Sequence, residues 1–327
     1  MFKAILVDNK NNNYTSDYIT CDESALPKGN VTVDIAYSSL NYKDALALSG
    51  QAPIIKNFPL VPGIDFSGIV SSSVHPDFKK GDSVILNGWG VGEKYWGGFS
   101  QKTRVNGDWL IHKPDRLSLE QAMSIGTAGY TAMLCIMALI EQGVKPENGD
   151  IIVSGATGGV GTIAIHLLAK LGYNVFAITD KPHEIDMLKA IGAKDTIGRD
   201  VFSRRGKPLE KERWAGAIDV VGGETLATLC ASMRYGGTVV ACGLAGGMDF
   251  PATVAPFILR GIKLIGIDSV MCPREKRVEA WKNLAKMIDV DFLANNTTHI
   301  TLSQTQEKAY AMLKGQLTGR VVIDVNG

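Results

Sequence analysis

The sequence is short of the residues that mark disulfide-bonded, metal-cluster and nucleic-acid-binding chains. It has five cysteines in 327 residues, at positions 21, 135, 230, 242 and 272. An odd number with wide, irregular gaps excludes a disulfide scaffold, and without a Cys-x-x-Cys pair there is no zinc knuckle. Free thiols in a reducing compartment are expected, so the chain reads as cytoplasmic. The five histidines, at 75, 112, 166, 183 and 299, show no metal-ligand spacing. Charge of one sign is lacking too. Lys and Arg number 34 against 33 Asp and Glu, a formal charge of +1, which supports neither nucleic acid nor a polybasic membrane surface as a partner. Apolar runs are short. The opening Met1-Phe2-Lys3-Ala4-Ile5-Leu6-Val7-Asp8 cannot form a signal-peptide core, and the run 132–140 falls far below the roughly 20 residues of a membrane span. Ser154 is not in a Gly-x-Ser-x-Gly elbow, and no Ser/His/Asp constellation suggests a hydrolase.

What is present in excess is glycine: 36 residues, about 11% against roughly 7% in average usage. Such content means many tight turns, or backbone that must approach something closely. The length suggests about two domains, and 45% hydrophobic residues supply their cores. The first 115 or so residues read as strands and turns, with Val31-Thr-Val-Asp-Ile-Ala-Tyr37 alternating as a half-buried strand does. Asn9–Asn13 is a polar turn and 42–48 a short helical turn. Ser118-Leu-Glu-Gln121 is a capping box opening a helix to about Gln142, with interruptions expected at Gly126 and Gly129. From Asp150 strands alternate with helices: 151–153, 174–178, 216–221, 238–242 and 263–267 as strands, with helices over 161–171, 182–191 and 224–233. This alternation predicts an α/β fold with a doubly wound parallel sheet. Beyond Met271, helices are expected near 274–288 and 303–314. A final strand, Val321–Val325, has no obvious partner in that sheet and is expected to return to the first domain.

The most informative segment runs Ile151-Ile-Val-Ser-Gly-Ala-Thr-Gly-Gly-Val-Gly161 into an apolar helix. Ala156–Gly161 fits the dinucleotide pattern G-x-G-x-x-G with Ala in the first slot. The physics requires a tight turn, then no side chain where pyrophosphate meets backbone, then a small residue where helix meets strand. Thr157, Gly158, Gly159, Val160 and Gly161 are therefore candidate phosphate-binding residues, with the helix N-terminus supplying unpaired N–H groups. Thr179 falls in the slot where NAD enzymes carry an acid. Thr179, Lys181 and Arg199 suit a 2′-phosphate, so NADPH is favoured; Asp180 favours NAD if its carboxylate turns inward. Ordinary solvated charge is the alternative for Lys181 and Arg199. The turn after Cys242, with Leu244, and the segments holding Ile258 and Ser269 can approach a nicotinamide or can be plain turns.

These residues resemble the medium-chain dehydrogenase/reductase superfamily. Ser38-Ser-Leu-Asn-Tyr-Lys-Asp-Ala-Leu-Ala47 is similar to the active-site turn of its zinc-free, quinone-oxidoreductase-like branch. Pro62-Gly-Ile-Asp-Phe-Ser-Gly68, Asn87-Gly-Trp-Gly-Val-Gly-Glu93, Cys242-Gly-Leu-Ala-Gly-Gly247 and Pro256-Phe-Ile-Leu-Arg260 resemble a subgroup within it, the bacterial acrylyl-CoA reductases. The resemblance implies a GroES-like β-rich catalytic domain over 1–122, a Rossmann domain over 123–265, and a return to the catalytic domain over 266–327. Where zinc-dependent members carry Cys, His and Cys, the matching slots hold Asn41, Ile64 and Thr127, so no metal is expected. The implied reaction is NADPH-dependent reduction of an α,β-unsaturated CoA thioester by hydride transfer to C3, with charge collecting on the thioester oxygen. Tyr42 is the candidate donor or substrate-positioning group, or else a packing aromatic that covers the nicotinamide and so belongs to the cofactor site. Asn41 holds the nicotinamide ribose or the carbonyl, or else shapes the turn. Asp44 is read as structural. Arg260 and Arg320 are candidates for the CoA phosphates, against surface charge. A quinone or small-enone reductase is the alternative function, with a small-molecule substrate in either case. The resemblance also implies a homodimer, joined by the edge strand near Lys263–Ile267.

Overall fold

The computed structural model describes residues 1–204 and 206–327. They divide into two units, Met1–Thr127 with Ser269–Gly327, and Ala128–Asp268.

The first unit begins with β1 (Phe2–Lys10) and β2 (Asn13–Cys21), an antiparallel hairpin. Asn11 and Asn12 turn it at φ of 54° and 62°. Asparagine tolerates this left-handed region better than most residues, and the resulting twist matches that of the strands. Then come β3 (Val31–Ser39), α1 (Tyr42–Ser49), β4 (Asp65–Ser73), β5 (Ser83–Asn87), β6 (Lys102–Val105) and β7 (Ile111–His112). The core of this unit includes Val33, Ile35, Phe66, Leu86, Phe99 and Ile323, each fully buried side chain worth about 1.5–3 kcal/mol.

The helix α2 (Leu119–Glu141) opens on the expected capping box: Ser118 N–H donates to Gln121 Oε1 at 2.9 Å and Gln121 N–H to Ser118 Oγ at 3.0 Å. Of the two expected interruptions only Gly126 breaks the helix, at φ 54° and ψ −161°. A Cβ there would lie 2.4 Å from Arg320 Nη2 and 2.6 Å from Ser39 Oγ. Both backbone angle and space therefore demand glycine. With 23 residues and mean hydropathy 1.7, α2 is long and apolar enough to cross a membrane, but 89% of its most apolar stretch is buried inside the protein.

The second unit contains β8 (Ile151–Val153), α3 (Gly159–Lys170), β9 (Val175–Ile178), α4 (Ile185–Ala190), β10 (Ala193–Ile197), β11 (Trp214–Asp219), α5 (Gly223–Ala231), β12 (Met233–Ala241), α6 (Ala255–Arg260) and β13 (Lys263–Gly266). All its strand pairs are parallel, in the order β10-β9-β8-β11-β12-β13. Counted from β8 this is 3-2-1-4-5-6, the order of a dinucleotide-binding doubly wound sheet. Its strand order reverses between β8 and β11, where such sheets bind ligands at the carboxyl ends of the strands.

The chain returns to the first unit with α7 (Arg274–Met287), α8 (Val290–Asn295), β14 (Thr297–Thr301), α9 (Thr305–Leu313) and β15 (Arg320–Asp324). β15 pairs antiparallel with the end of β3 and parallel with β14, which is the return expected of the final strand. It completes a sheet in the order β14-β15-β3-β4-β5-β7, with β6 on the other part of β3.

Candidate active site

In the second unit, Ser154 and Asp219 tie together the two strands that flank the reversal. Ser154 Oγ donates to Asp219 Oδ1 at 2.6 Å and accepts from Val220 N–H at 3.0 Å, while Gly222 N–H donates to Asp219 Oδ2 at 2.7 Å. Burial raises the Asp219 pKa above the usual carboxylate range. The loop between β8 and α3 is closed by Gly158 N–H on Gly155 O at 3.0 Å. A Cβ on Gly161 would sit 2.4 Å from Gly155 O, so α3 packs against the loop only because that residue has no side chain. Gly158 is an extended N-cap with no side-chain hydrogen bond into α3. The first N–H groups of this 12-residue helix are thus available to an anion. Thr157, Gly158, Gly159 and Val160 are partly exposed around it, and Gly161 is buried. The loop fits a dinucleotide pyrophosphate.

At the end of β9, Thr179 Oγ1 accepts from Lys181 N–H at 3.1 Å. Asp180 turns toward the neighbouring segment: its Oδ1 accepts from Arg199 N–H at 2.6 Å, and Arg199 Nε lies 4.0 Å from its Oδ2. Leu244 and Ile258 are exposed. Ser269 is partly buried and belongs to the first unit.

In the first unit, Tyr42 opens α1, is 45% exposed, and its hydroxyl has no partner among the described residues. Beneath it lies a buried polar network centred on Asp65. Asp65 Oδ1 accepts from Ser39 N–H (3.0 Å) and Oγ (2.8 Å). Its Oδ2 accepts from Asn41 Nδ2 (3.1 Å), Thr127 N–H (2.7 Å) and Thr127 Oγ1 (2.6 Å). Asp44 Oδ2 accepts from Asn41 N–H at 2.9 Å and Oδ1 from Ile64 N–H at 2.9 Å. Asp44 is fully buried, and desolvation, then the charge of Asp65, push its pKa up to about 7 against the hydrogen bonds that favour the carboxylate. The Asn41 amide hydrogens also face Ser39 O and Asp44 Oδ2 at 3.2 Å. Asn41 therefore spends its donors inside the protein and fixes the start of α1.

The three positions that correspond to zinc ligands carry an amide, an aliphatic chain and a hydroxyl. Asn41 and Thr127 both donate to Asp65, and among the described residues no group of three or more His, Cys, Asp or Glu is placed to hold a metal. The donor set does not fit zinc.

Two expected substrate cations need correction. Arg320 is 2% exposed, with Nε on Ser124 O (3.1 Å), Nη2 on Ser39 Oγ (2.8 Å) and Nη1 on Asn41 Oδ1 (3.4 Å). It serves the network and offers nothing to an external phosphate. Arg260 gives Nη1 to Ala231 O (2.7 Å) and Met233 O (3.1 Å) and Nη2 to Glu210 O (2.5 Å), with Nε 3.5 Å from Glu212. It is a bracket within the second unit. Sequence reasoning missed Asp65, although it lies in the quoted string 62–68, and Arg277. The guanidinium of Arg277 donates to Asn87 O (2.7 Å) and Val270 O (3.2 Å) and lies 4.8 Å from the Trp89 ring. It anchors the loop after β5, where Trp89 adopts φ 57°. The only signal for it was an arginine on an otherwise amphipathic helix.

The comparisons with known proteins agree with this geometry. Residues 27–115 match the alcohol dehydrogenase GroES-like domain and residues 159–290 the zinc-binding dehydrogenase family. The chain is 49% identical over 324 residues to the Escherichia coli protein named "Probable acrylyl-CoA reductase AcuI", covering 99% of this chain and 100% of that one. It is 46% identical to acrylyl-CoA reductase AcuI of Ruegeria pomeroyi, covering 100% of each. The crystal structure of the Salmonella enterica YhdH oxidoreductase in complex with NADP superposes with a TM-score of 0.97 at 48% identity, over 99% of both chains. That of Bacillus subtilis YhfP with NAD bound, a protein whose name places it with the quinone oxidoreductases, gives 0.94 at 41%, over 99% of both.

Proposed function

The chain belongs to the medium-chain dehydrogenase/reductase family, and from that premise we propose that it reduces the C=C bond of acrylyl-CoA to give propanoyl-CoA, using NADPH and no zinc. The observation that carries this reading is an intact phosphate loop in one unit combined with a hydrogen-bonded Asp65 network at the zinc-ligand positions of the other. Without a Lewis acid, alkoxide stabilisation is lost, whereas an alkene conjugated to a thioester carbonyl is already electrophilic.

Thr157–Gly161 and the N-terminus of α3 hold the pyrophosphate. Arg199 and Lys181 face the adenosine 2′-phosphate with Thr179. Asp180 is committed to Arg199 N–H, which removes the acid that a ribose 2′-OH needs and favours NADPH over NADH. When bound, the nicotinamide supplies the hydride. Negative charge then develops on the thioester oxygen of the substrate, where a donor lowers the barrier. Tyr42, half-exposed with an uncommitted hydroxyl, is the donor to that oxygen or the proton source for C2. Asn41, Asp44 and Asp65 hold the backbone from which Tyr42 projects. A homodimer forms through β13, which among the described residues pairs only with β12 and so presents an open edge. The buried free cysteines suit the cytoplasm.

Oxidation of NADPH followed at 340 nm, with acrylyl-CoA, crotonyl-CoA and a benzoquinone as acceptors, tests the proposal. Turnover of acrylyl-CoA with a higher kcat/KM than the quinone is expected. Turnover of the quinone alone would instead establish the quinone-reductase reading suggested by the likeness to YhfP.

A further inference from the structure

With Arg260 and Arg320 spent inside the protein, a CoA thioester must find its phosphate partners elsewhere. Three lysines are tied to the turn that carries Glu93. Lys43, the residue after Tyr42 on α1, places Nζ 3.1 Å from Glu93 Oε1, with both side chains partly exposed. Lys56 donates its backbone N–H to Glu93 O at 3.1 Å, and its exposed ammonium holds the single carbonyl of Pro53 at 2.8 Å, which leaves two of its N–H groups for an anion. Lys94 follows Glu93 and is exposed. The turn itself is stiff. The N–H groups of Glu93, Lys94 and Tyr95 all reach Gly90 O, at 3.2, 2.8 and 3.2 Å, and Gly92 N–H reaches Tyr95 O at 2.7 Å. Three lysines are thus carried on or beside one hydrogen-bonded turn in the first unit, and Lys43 is the one that reaches the Glu93 carboxylate. Among the described residues Glu93 is paired only with Lys43, through a partly exposed pair near the surface kind worth about 0–1 kcal/mol. A phosphate dianion, with more charge and more acceptor oxygens, is a stronger partner for the same ammonium group.

We propose that Lys43, Lys56 and Lys94 recognise the phosphate groups of a coenzyme A substrate, and that Glu93 is a built-in competitor which Lys43 exchanges for phosphate. The proposal rests on the CoA-thioester reading above and adds to it the residues that select a phosphorylated acyl carrier.

The test compares acrylyl-CoA with S-acryloyl-pantetheine, which keeps the reacting group and lacks the phosphates. Replacing Lys43, Lys56 or Lys94 by alanine should raise the KM of the CoA ester relative to the pantetheine ester by about two- to five-fold each, the range for exposed charge pairs. Glu93→Gln should move the same ratio the opposite way. A merely structural turn would not produce that sign, because losing a buttressing ion pair would affect both esters alike. In wild type, added salt should raise the KM of the CoA ester more steeply than that of the pantetheine ester. Equal effects on both esters, or a higher ratio in Glu93→Gln, would overturn the proposal. Calorimetric titration with free coenzyme A reads the patch independently of turnover. Binding by wild type that is weakened at least ten-fold in the triple alanine variant supports it, and absence of binding by wild type, or retention by the variant, refutes it. Failure of wild type to reduce either ester would count against the proposed reaction and leave this binding measurement decisive for the patch.

Discussion

Asp44 makes the stability of this protein depend on pH in a direction opposite to that of most carboxylates. Its side chain is fully buried, and its pKa is pushed up to about 7 by desolvation and by the charge of Asp65. In the unfolded chain it returns to the ordinary value of about 3.9. Between the two values the folded state holds a proton that the unfolded state has released, so stability falls as pH rises across that window. One proton corresponds to a slope of about 1.4 kcal/mol per pH unit. Between pH 5 and pH 6 the folded group is protonated and the unfolded group is not, so nearly the whole slope appears there. Above pH 7 the penalty is complete, and below pH 4 it is gone. The variant Asp44→Asn has no titrating group at this position. It loses one of the acceptors for Asn41 N–H and Ile64 N–H, a cost that does not vary with pH and so enters as an offset and not a slope. Urea unfolding of both proteins at pH 5.0, 5.5, 6.0 and 7.5 gives the comparison, and groups common to both, Asp219 included, cancel in the difference. From pH 5 to 6 the unfolding free energy of wild type should fall by about 1.4 kcal/mol more than that of the variant. Parallel curves would refute the reasoning and place the Asp44 pKa near its unfolded value, with the three hydrogen bonds outweighing burial.

Arg320→Met should cost about 3–5 kcal/mol, because it strips a buried network of its one guanidinium and leaves two carboxylates behind; chemical denaturation measures it, and a loss below 1 kcal/mol would show that the arginine is dispensable. Gly161→Val should abolish NADPH binding in a fluorescence titration, since its Cβ would fall 2.4 Å from Gly155 O and displace α3 from the loop. Arg199→Ala should weaken NADPH at least several-fold while sparing NADH, because only the former carries a 2′-phosphate; equal losses would contradict the cofactor assignment. Dialysis against a strong chelator should leave activity intact, as Asn41, Ile64 and Thr127 offer no zinc ligands, and metal-dependent recovery of activity would overturn that reading.

The alternation of strands and helices from residue 150 onward was legible because most of its buried strands are short apolar runs that alternate with helical periods, several of them set off by glycine. β10 and β14 were not, since Ala-Lys-Asp-Thr-Ile and Thr-Thr-His-Ile-Thr each bury a single residue and lack such runs; their pairing with β9 and β15 makes them strands. The phosphate loop was readable because its constraint is local: three small residues at fixed offsets. The Asp65 network was not, because its members Ser39, Asn41, Thr127 and Arg320 are distant in sequence and meet only when β3, β4, α2 and β15 assemble. The two arginines were misread for a related reason. A charge in a sequence carries no burial, and most arginines are exposed. Arg320 opens a strand whose next three residues, Val-Val-Ile, are all buried, and that context is the one sign of its interior position.

The positions that would ligate a metal have become a hydrogen-bonded unit instead of falling vacant. Asp65 needs donors on both oxygens, because a carboxylate buried at 0% exposure is tolerable only when its lone pairs are satisfied. Thr127 supplies two, its N–H and its hydroxyl, and Asn41 and Ser39 supply the others. A cysteine at 127 or at 41 would be a poorer donor, so the replacements at these positions and the burial of Asp65 support one another. The amide of Asn41 then links Asp65 to Asp44, and Asp44 in turn holds the N–H of Asn41 and of Ile64. The start of α1 is thereby fastened at both of its neighbours, and Tyr42 is left as the first side chain free to face outward. The charge that fixes the start of α1 is supplied by protein carboxylates and one arginine. On the proposed reading, the substrate brings its own activating carbonyl, so this network is asked only to hold Tyr42 in place and not to stabilise an alkoxide.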